Sequence, residues 1–249
     1  MPRSPATFRV DAILASAILL AAGCAHAGTS GTLALTSDYL FRGLSQTNQE
    51  PALQGGAEYA HDGGFYAGIW GSNISWLSDY SSASLPISSS VELDGYAGWR
   101  VPLSDSLKLD AGVYTYYYPG TYPQGFVRPY TTEAYVGLLW GPGSLKYYHA
   151  VTNLFGFADS DGSGYLDASV NYEFSPGWVF NGHAGRQRVK GTSVASYTDW
   201  KLGLTRNFDG GWSLAAAYAD TNAERSVYTN AFGNFLGRST GTLTLTKAF

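Results

Sequence analysis

From Gly31 onward, apolar residues recur at every second position, the period of a strand rather than the 3.6-residue period of a helix. In "VELDGYAGW" (Val91 to Trp99), Val, Leu, Gly, Ala and Trp alternate with Glu, Asp, Tyr and Gly. In "LKLDAGVYTYYY" (Leu107 to Tyr118), Leu107, Leu109, Ala111 and Val113 alternate with Lys108, Asp110, Gly112 and Tyr114. "TEAYVGLLW" (Thr132 to Trp140), "LDASVNYEF" (Leu166 to Phe174) and "DWKLGLTRN" (Asp199 to Asn207) repeat the scheme. Each predicts a strand with one apolar face and one polar, small or aromatic face. Twelve such segments are expected, near 31–42, 52–60, 65–73, 90–100, 107–118, 131–140, 144–152, 165–174, 178–189, 197–206, 212–220 and 239–249. Pro and Gly cluster between them, as turns require.

The connections alternate in length. "GLSQTNQEP" is long and "HDGG" short; residues 74–89 are long and "VPLSDS" short; 119–130 are long and "GPG" short. The same holds for 153–164 and "SPG", then for 190–196 and "NFDGG", and 221–238 are long again. A soluble sandwich has no reason to gather its tight turns at one end. An outer-membrane barrel does, because short periplasmic turns alternate with long extracellular loops around an even number of strands. The expected fold is therefore all-β: a transmembrane, antiparallel, up-and-down β-barrel of about twelve strands.

Two further patterns bear on that expectation. Trp99, Trp140, Trp178 and Trp212 each lie within a few residues of a short turn, which would build one aromatic girdle at a membrane interface. In a sandwich they would instead be core tryptophans. The stretch "GTLALTSDY" from Gly31 is echoed by "GTLTLTKAF" from Gly241. A barrel in lipid cannot leave an unpaired edge, so these two strands should pair, with Leu33, Leu35, Leu243 and Leu245 toward lipid and the intervening threonines inward.

Composition narrows the class. Charged residues make up 14% and aromatics 15% of the 249 residues, with 31 Gly, 19 Tyr and 7 Trp. That is too apolar and aromatic for a disordered chain, and Gly with Tyr and Trp favours strands and tight turns. Arg3 and Arg9 precede the apolar run Ala12 to Gly23, followed by "AHA" at Ala25 to Ala27. This pattern predicts a signal peptide over 1–27, cleaved after Ala27, with the barrel over 28–249. The run is shorter than the ~17–25 residues of a spanning helix. Cys24, the single cysteine, follows "LAAG", near a lipobox, but Ala21 stands where a branched apolar residue is usual. It is either lipidated or removed with the signal. Loss of Arg3, Arg9 and Asp11 makes the formal charge of −4 one unit more negative, and no basic patch suits nucleic acid.

Three stretches resemble the TorF-family putative porins: "LTSDYLFRGLSQT" (Leu35 to Thr47), "PALQGGAEYAHDGGFYAGIWGSNI" (Pro51 to Ile74) and "VELDGYAGWR" (Val91 to Arg100). The resemblance continues more faintly through "LKYYHA" and "YLDASVNYEF" to the C-terminus. It implies an outer-membrane channel in a Gram-negative bacterium and supplies no substrate.

Alternation assigns lumen-facing positions to Asp38, Arg42, Glu58, Glu92, Asp94, Lys108, Asp110, Glu133, Lys146, Asp199 and Lys201, with Tyr114 and Tyr116 among the aromatics. Mixed signs in a narrow lumen can set a transverse field that selects solutes, or simply neutralise one another. Tyr114, Tyr116 and Tyr118, with Tyr96 and Tyr135, form either a sugar-stacking track or space filling. "DSDGSGYLD" (Asp159 to Asp167) resembles the start of a calcium loop, but the twelfth place holds Val170 and no helices flank it, so a polar surface loop is preferred. His149 and His183 are the histidines expected on strands, and no partnered serine, metal cluster or phosphate loop is evident. No catalytic residue, cofactor or metal is assigned.

These patterns point to passive diffusion of small polar solutes through the outer membrane, with membrane lipids and lipopolysaccharide as surroundings. The alternatives are a barrel enzyme of lipid-hydrolase type and a non-conducting structural or receptor barrel. The C-terminal strand, ending on Phe249, resembles the signal read by the outer-membrane assembly machinery, although Lys247 occupies a position usually aromatic or apolar. Deleting Phe249 should leave export intact but strand the chain unfolded in the periplasm. Heat-modifiable gel mobility of the outer-membrane fraction reads this out; a normal yield of folded barrel would show that Phe249 carries no such signal.

Overall fold

The computed structural model describes residues 28–249. The signal peptide expected over 1–27, and Cys24 within it, lie outside the described residues. In chain order the strands are β1 (Gly28–Thr36), β2 (Leu40–Phe41), β3 (Leu44–Ser45), β4 (Ala52–Ala60), β5 (Phe65–Asn73), β6 (Val91–Pro102) and β7 (Leu107–Tyr117). They continue as β8 (Thr131–Trp140), β9 (Gly143–Ala150), β10 (Gly164–Ser175), β11 (Trp178–Arg188), β12 (Tyr197–Asn207), β13 (Trp212–Thr221) and β14 (Thr240–Ala248), with one α-helical turn, α1 (Arg225–Tyr228), and three short 3-10 turns.

Twelve of these close an antiparallel barrel in the order β1-β14-β13-β12-β11-β10-β9-β8-β7-β6-β5-β4. The echo between the two ends is the seam. Leu35 stands opposite Leu245 and Thr36 opposite Thr244, and the Phe249 N–H donates to the Gly31 carbonyl at 2.9 Å. With the seam paired, every wall strand has a neighbour on both sides, which is what a membrane requires of backbone polar groups. Among the described residues no helix is long and apolar enough to cross a membrane; the wall is made of strands.

The outward face is apolar: Leu33, Leu35, Leu93, Val113, Val136, Leu145, Leu202, Leu243 and Leu245 are all exposed, and Ile69 is 67% exposed. A continuous belt of this kind would be an aggregation surface in water and is a solvated surface in lipid. Trp99, Trp140, Trp178 and Trp212 lie on that face at 53%, 44%, 38% and 46% exposure, so they form a rim beside the short turns and not a sandwich core.

Inside, tyrosines are accommodated by glycines on the next strand. Tyr96 stands opposite Gly68, and Tyr66 opposite Gly98. A Cβ at either glycine would run into the facing ring. The absent side chains let the rings lie flat against the wall, the cross-strand device that pins register and offsets a glycine's weak strand preference.

One expected strand is shorter than its alternation suggested. The segment predicted over 31–42 ends at Thr36, where Ser37 and Asp38 turn the chain into the barrel. There β2 and β3 form a ribbon, pairing Leu40 with Ser45 and Phe41 with Leu44. The two-residue turn between them holds Arg42 at φ 48° and Gly43 at φ 77°, the left-handed pair of a tight hairpin. The run Tyr39-Leu40-Phe41 is rich in strand-favouring residues, so composition did not mark where the wall ended.

Replacing lipid-facing Leu93 with Arg should destabilise the barrel by roughly 2–4 kcal/mol and block assembly, whereas Asp94→Asn on the inner face should assemble normally. Heat-modifiable mobility distinguishes them; equal assembly of both variants would contradict the register.

Candidate functional site in the lumen

The inner wall has two unlike halves. From β5 to β10 it carries Tyr66, Tyr96, Tyr114, Tyr116, Tyr135, Tyr148 and Tyr165, all buried. Across β13 and β14 the inward positions are Ala215, Ala217, Ala219, Thr242, Thr244 and Thr246. The bulky half brings most of the charge with it, because its tyrosine hydroxyls are the donors that hold the carboxylates.

Toward the short-turn end, Lys146 Nζ lies 2.5 Å from Asp110 Oδ2, and Asp110 also accepts from the Tyr66 hydroxyl, which meets Tyr135. Glu58 pairs with Arg100 at 2.9 Å, and the Arg100 guanidinium lies 3.7 Å from the Tyr66 ring centroid. Higher on β6, Asp94 accepts from Tyr114 at 2.9 Å and Glu92 from Tyr118 at 3.2 Å.

At the long-loop end the ribbon crosses the lumen. Arg42 makes a bidentate contact with Glu133 on β8, at 3.1 and 2.6 Å, and donates to Gln187 on β11 at 2.8 Å. Its guanidinium packs against the rings of Tyr165 at 4.2 Å and Phe41 at 4.9 Å. Burial alone would make Arg42 a weaker base, but the Glu133 carboxylate raises it further above the usual arginine range. Asp38 stabilises the ribbon from within, accepting from Ser45 at 2.6 Å and Thr47 at 3.2 Å. Burial pushes its carboxyl above the usual range, and those two hydroxyls oppose the shift. A cavity of about 230 Å³ opens beside the ribbon, lined by Phe41, Arg42, Trp76, Tyr118, Phe155 and Tyr228 among others.

Of the positions assigned from alternation, Asp38, Arg42, Glu58, Glu92, Asp94, Asp110, Tyr114, Tyr116, Glu133, Lys146 and Asp199 are buried on the inner side. Asp38 and Arg42 reach it from the inserted ribbon instead of the wall. Lys201 is half-buried on β12. Lys108 is the exception: it is exposed at the start of β7, opposite Leu139 and next to a short turn, so it marks the rim.

Asp199 belongs to a cluster whose other members, His183 and Asp167, were not among the assigned positions. His183 on β11 has Nδ1 3.3 Å from Asp167 on β10 and Nε2 2.8 Å from Asp199 on β12. Ser169 lies 3.2 Å from His183 Nδ1, although no partnered serine was evident from the sequence. This is not a nucleophilic triad. The Ser169 hydroxyl donates to Asp167 at 2.7 Å, and both imidazole nitrogens face carboxylates, leaving no free lone pair to take a serine proton. The parity of β10 and β11 would have placed Asp167 and His183 inward; their convergence needed the register. In the 159–167 loop, Ser160 and Ser163 bond to backbone and Asp161 faces Lys190 at 3.5 Å. Among the described residues no group of His, Cys, Asp and Glu is arranged to hold a metal ion.

A family model described as a bacterial protein of unknown function (Gcw_chp) matches residues 21–249. The chain belongs to this family. No curated protein matches its sequence. Among solved structures it is similar to a KdgM porin, with 7% identity, TM-score 0.56, and 88% of this chain and 98% of that one covered. A NanC porin gives 12% identity and TM-score 0.56, covering 89% and 99%. A KdgM porin in complex with disordered oligogalacturonate gives 6% identity and TM-score 0.52, covering 89% and 97%. At such identities the likeness establishes the fold: a twelve-stranded porin-type barrel.

The Arg42–Glu133 contact can be tested by a double-mutant cycle. Removing either partner leaves a buried charge, so Arg42→Ala and Glu133→Ala should each destabilise by about 3–5 kcal/mol, and the double variant by clearly less than their sum. Urea unfolding of the folded barrel measures this, and proteolysis within 37–51 should rise in both single variants. Additive losses would show that the two residues do not act together.

Proposed function

We propose that this chain is a porin-like outer-membrane channel for passive diffusion of small polar solutes. The observation that carries the reading is a closed wall, apolar outside, around a lumen of ionised and hydrogen-bonding side chains. Such a lumen gives a polar solute replacement partners for its hydration shell, and its wall keeps lipid out. The resemblance to TorF-family putative porins in Leu35 to Thr47, Pro51 to Ile74 and Val91 to Arg100 supports the same reading. So does the signal peptide expected over 1–27, which would deliver the chain to the periplasm, where the assembly machinery would take up its last strand. The similar solved structures are porins, not enzymes.

The lumen charge suggests a preference. Glu58, Glu92, Asp94, Asp110, Glu133, Asp167 and Asp199 on the wall, with Asp38 on the ribbon, face Arg42, Arg100, Lys146, Lys201 and His183. Carboxylates outnumber cations, so cationic and neutral solutes should pass more readily than anions.

A second reading has its own support. The ribbon held by Arg42 narrows the lumen, as it would in a structural or receptor barrel closed by its own loop. Planar-bilayer recording separates the cases. A channel gives discrete conductance steps whose reversal potential in a KCl gradient favours potassium, and Arg42→Ala enlarges the steps. Silence from folded wild type and folded Arg42→Ala alike would support the closed barrel, and lipid turnover without conductance would support an enzyme.

A further inference from the structure

We infer that the outer wall at the long-loop end of β11 is a docking site for the phosphorylated headgroup of an outer-leaflet glycolipid such as lipopolysaccharide. The inference rests on the membrane reading above, in which the long loops face the cell exterior. On β11 the residues pointing out of the barrel run from Trp178 and Phe180 through Gly182 and Ala184 to Arg186 and Arg188. Side chains two apart on a strand are ~7 Å apart on one face, so the two guanidiniums stack at the top of an otherwise apolar column. Both are exposed, and neither has a hydrogen-bond or ion-pair partner among the described residues. Lys190 continues the line past the strand end, in a loose surface contact with Asp161 at 3.5 Å, the two side chains 49% and 62% exposed.

The surroundings at this place are aromatic and cationic. Gly164 lies directly beside Arg188 and contributes no side chain; beyond it in the same row stands His149. The Tyr147 hydroxyl lies over Gly164, where a Cβ would collide with it. The Tyr147 hydroxyl and the Arg188 guanidinium are therefore neighbours in this row, with the Tyr147 ring in the place a side chain at 164 would take, and the nearby carboxylate, Asp161, is held by Lys190. Just toward the short-turn end of Arg186, Trp200 faces outward opposite Ala184, with its ring 5.9 Å from that of Tyr218. Aromatic rings of this kind sit at the headgroup level, so the two arginines stand where acyl chains give way to phosphates.

The other outward cations on the wall are already engaged. Near the short turns, Arg206 lies 5.3 Å from the Trp178 ring and donates to the Pro176 carbonyl at 2.8 Å. Lys247 lies 5.8 Å from the Trp212 ring and reaches the Gly210 carbonyl. Besides Asp161 in the loop, Asp220 on the wall faces outward at the long-loop end; it is two strands from β11 and accepts from the Thr221 N–H. An unpartnered guanidinium at the edge of hydrocarbon is costly, and its planar fork matches a phosphate with two parallel hydrogen bonds.

The test is binding of lipid A to the folded, detergent-purified barrel, comparing wild type, Arg186→Gln/Arg188→Gln and Arg206→Gln. Bisphosphorylated lipid A, the same lipid with its phosphates removed, and inorganic phosphate are the probes. The double variant should bind bisphosphorylated lipid A roughly tenfold or more weakly, since each cation near an anionic lipid surface contributes about a fivefold factor. Arg206→Gln should bind as wild type does, and loss of the phosphates should erase the difference. Inorganic phosphate should compete poorly; binding of free phosphate as tight as that of the lipid would overturn the assignment to a lipid headgroup. Unchanged lipid binding by the double variant, or equal affinity for the dephosphorylated lipid, would overturn the docking site itself. Should the double variant not assemble, each single variant carries the same comparison at roughly fivefold. A barrel silent in bilayers both as wild type and as Arg42→Ala that still binds in this pattern would remove the channel reading and leave the docking site standing.

Discussion

Backbone pairing at the seam is the constraint on which everything else depends. A wall in hydrocarbon has no water to satisfy its N–H and C=O groups, so each strand needs two neighbours. The pairing of β1 with β14 provides the last of these contacts. Once the ring is closed, strand alternation leaves no freedom: a residue faces either lipid or lumen, and a slip of one position would exchange the two faces along a whole strand. The charged lumen and the leucine-rich exterior are consequences of the same ladder of hydrogen bonds.

Twelve strands leave a modest interior, and its use is uneven. Tyrosines seated on neighbouring glycines thicken the wall from β5 to β10, while alanines and threonines keep β13 and β14 thin. The ribbon β2–β3 occupies the space toward the thin side: a Cβ at Gly43 would strike Thr221 on β13 and Asp199 on β12. Arg42 then spans to Glu133 and Gln187. The ribbon is thus wedged against small residues and tied to large polar ones.

Most of the wall was legible in the sequence because its information is local. A period of two, an alternation of loop lengths and tryptophans beside short turns each need only neighbouring residues to be read, and eleven of the twelve expected strands fall where the alternation runs. The first strand was drawn too long because the strand-favouring run Tyr39-Leu40-Phe41 follows directly after the chain has left the wall. Lumen orientation of Glu92 or Asp110 follows from parity alone. Partnership does not: Glu58 meets Arg100 across 42 residues and Arg42 meets Glu133 across 91, and such distances are set by how the barrel closes. Lys108 had the right parity and the wrong depth, since parity is silent on distance from the rim.

The choice of a charged tether for the ribbon has a physical meaning of its own. The Arg42 and Glu133 side chains are 3% and 0% exposed, and a buried ion pair seldom stabilises more than a well-packed apolar pair would. Stability therefore does not explain it. What distinguishes the charged tether is the alternative available when it breaks. Leucines pulled apart in a wet lumen would expose apolar surface with nothing to replace the lost contact. Arginine and glutamate pulled apart can each be met by water or by neighbouring polar groups, such as Tyr116, 3.3 Å from Glu133. The penalty for opening is then the difference between two sets of polar contacts instead of a wholesale loss. A ribbon fastened in this way is held firmly in the closed arrangement, yet the cost of opening it is smaller than that of parting an apolar clasp.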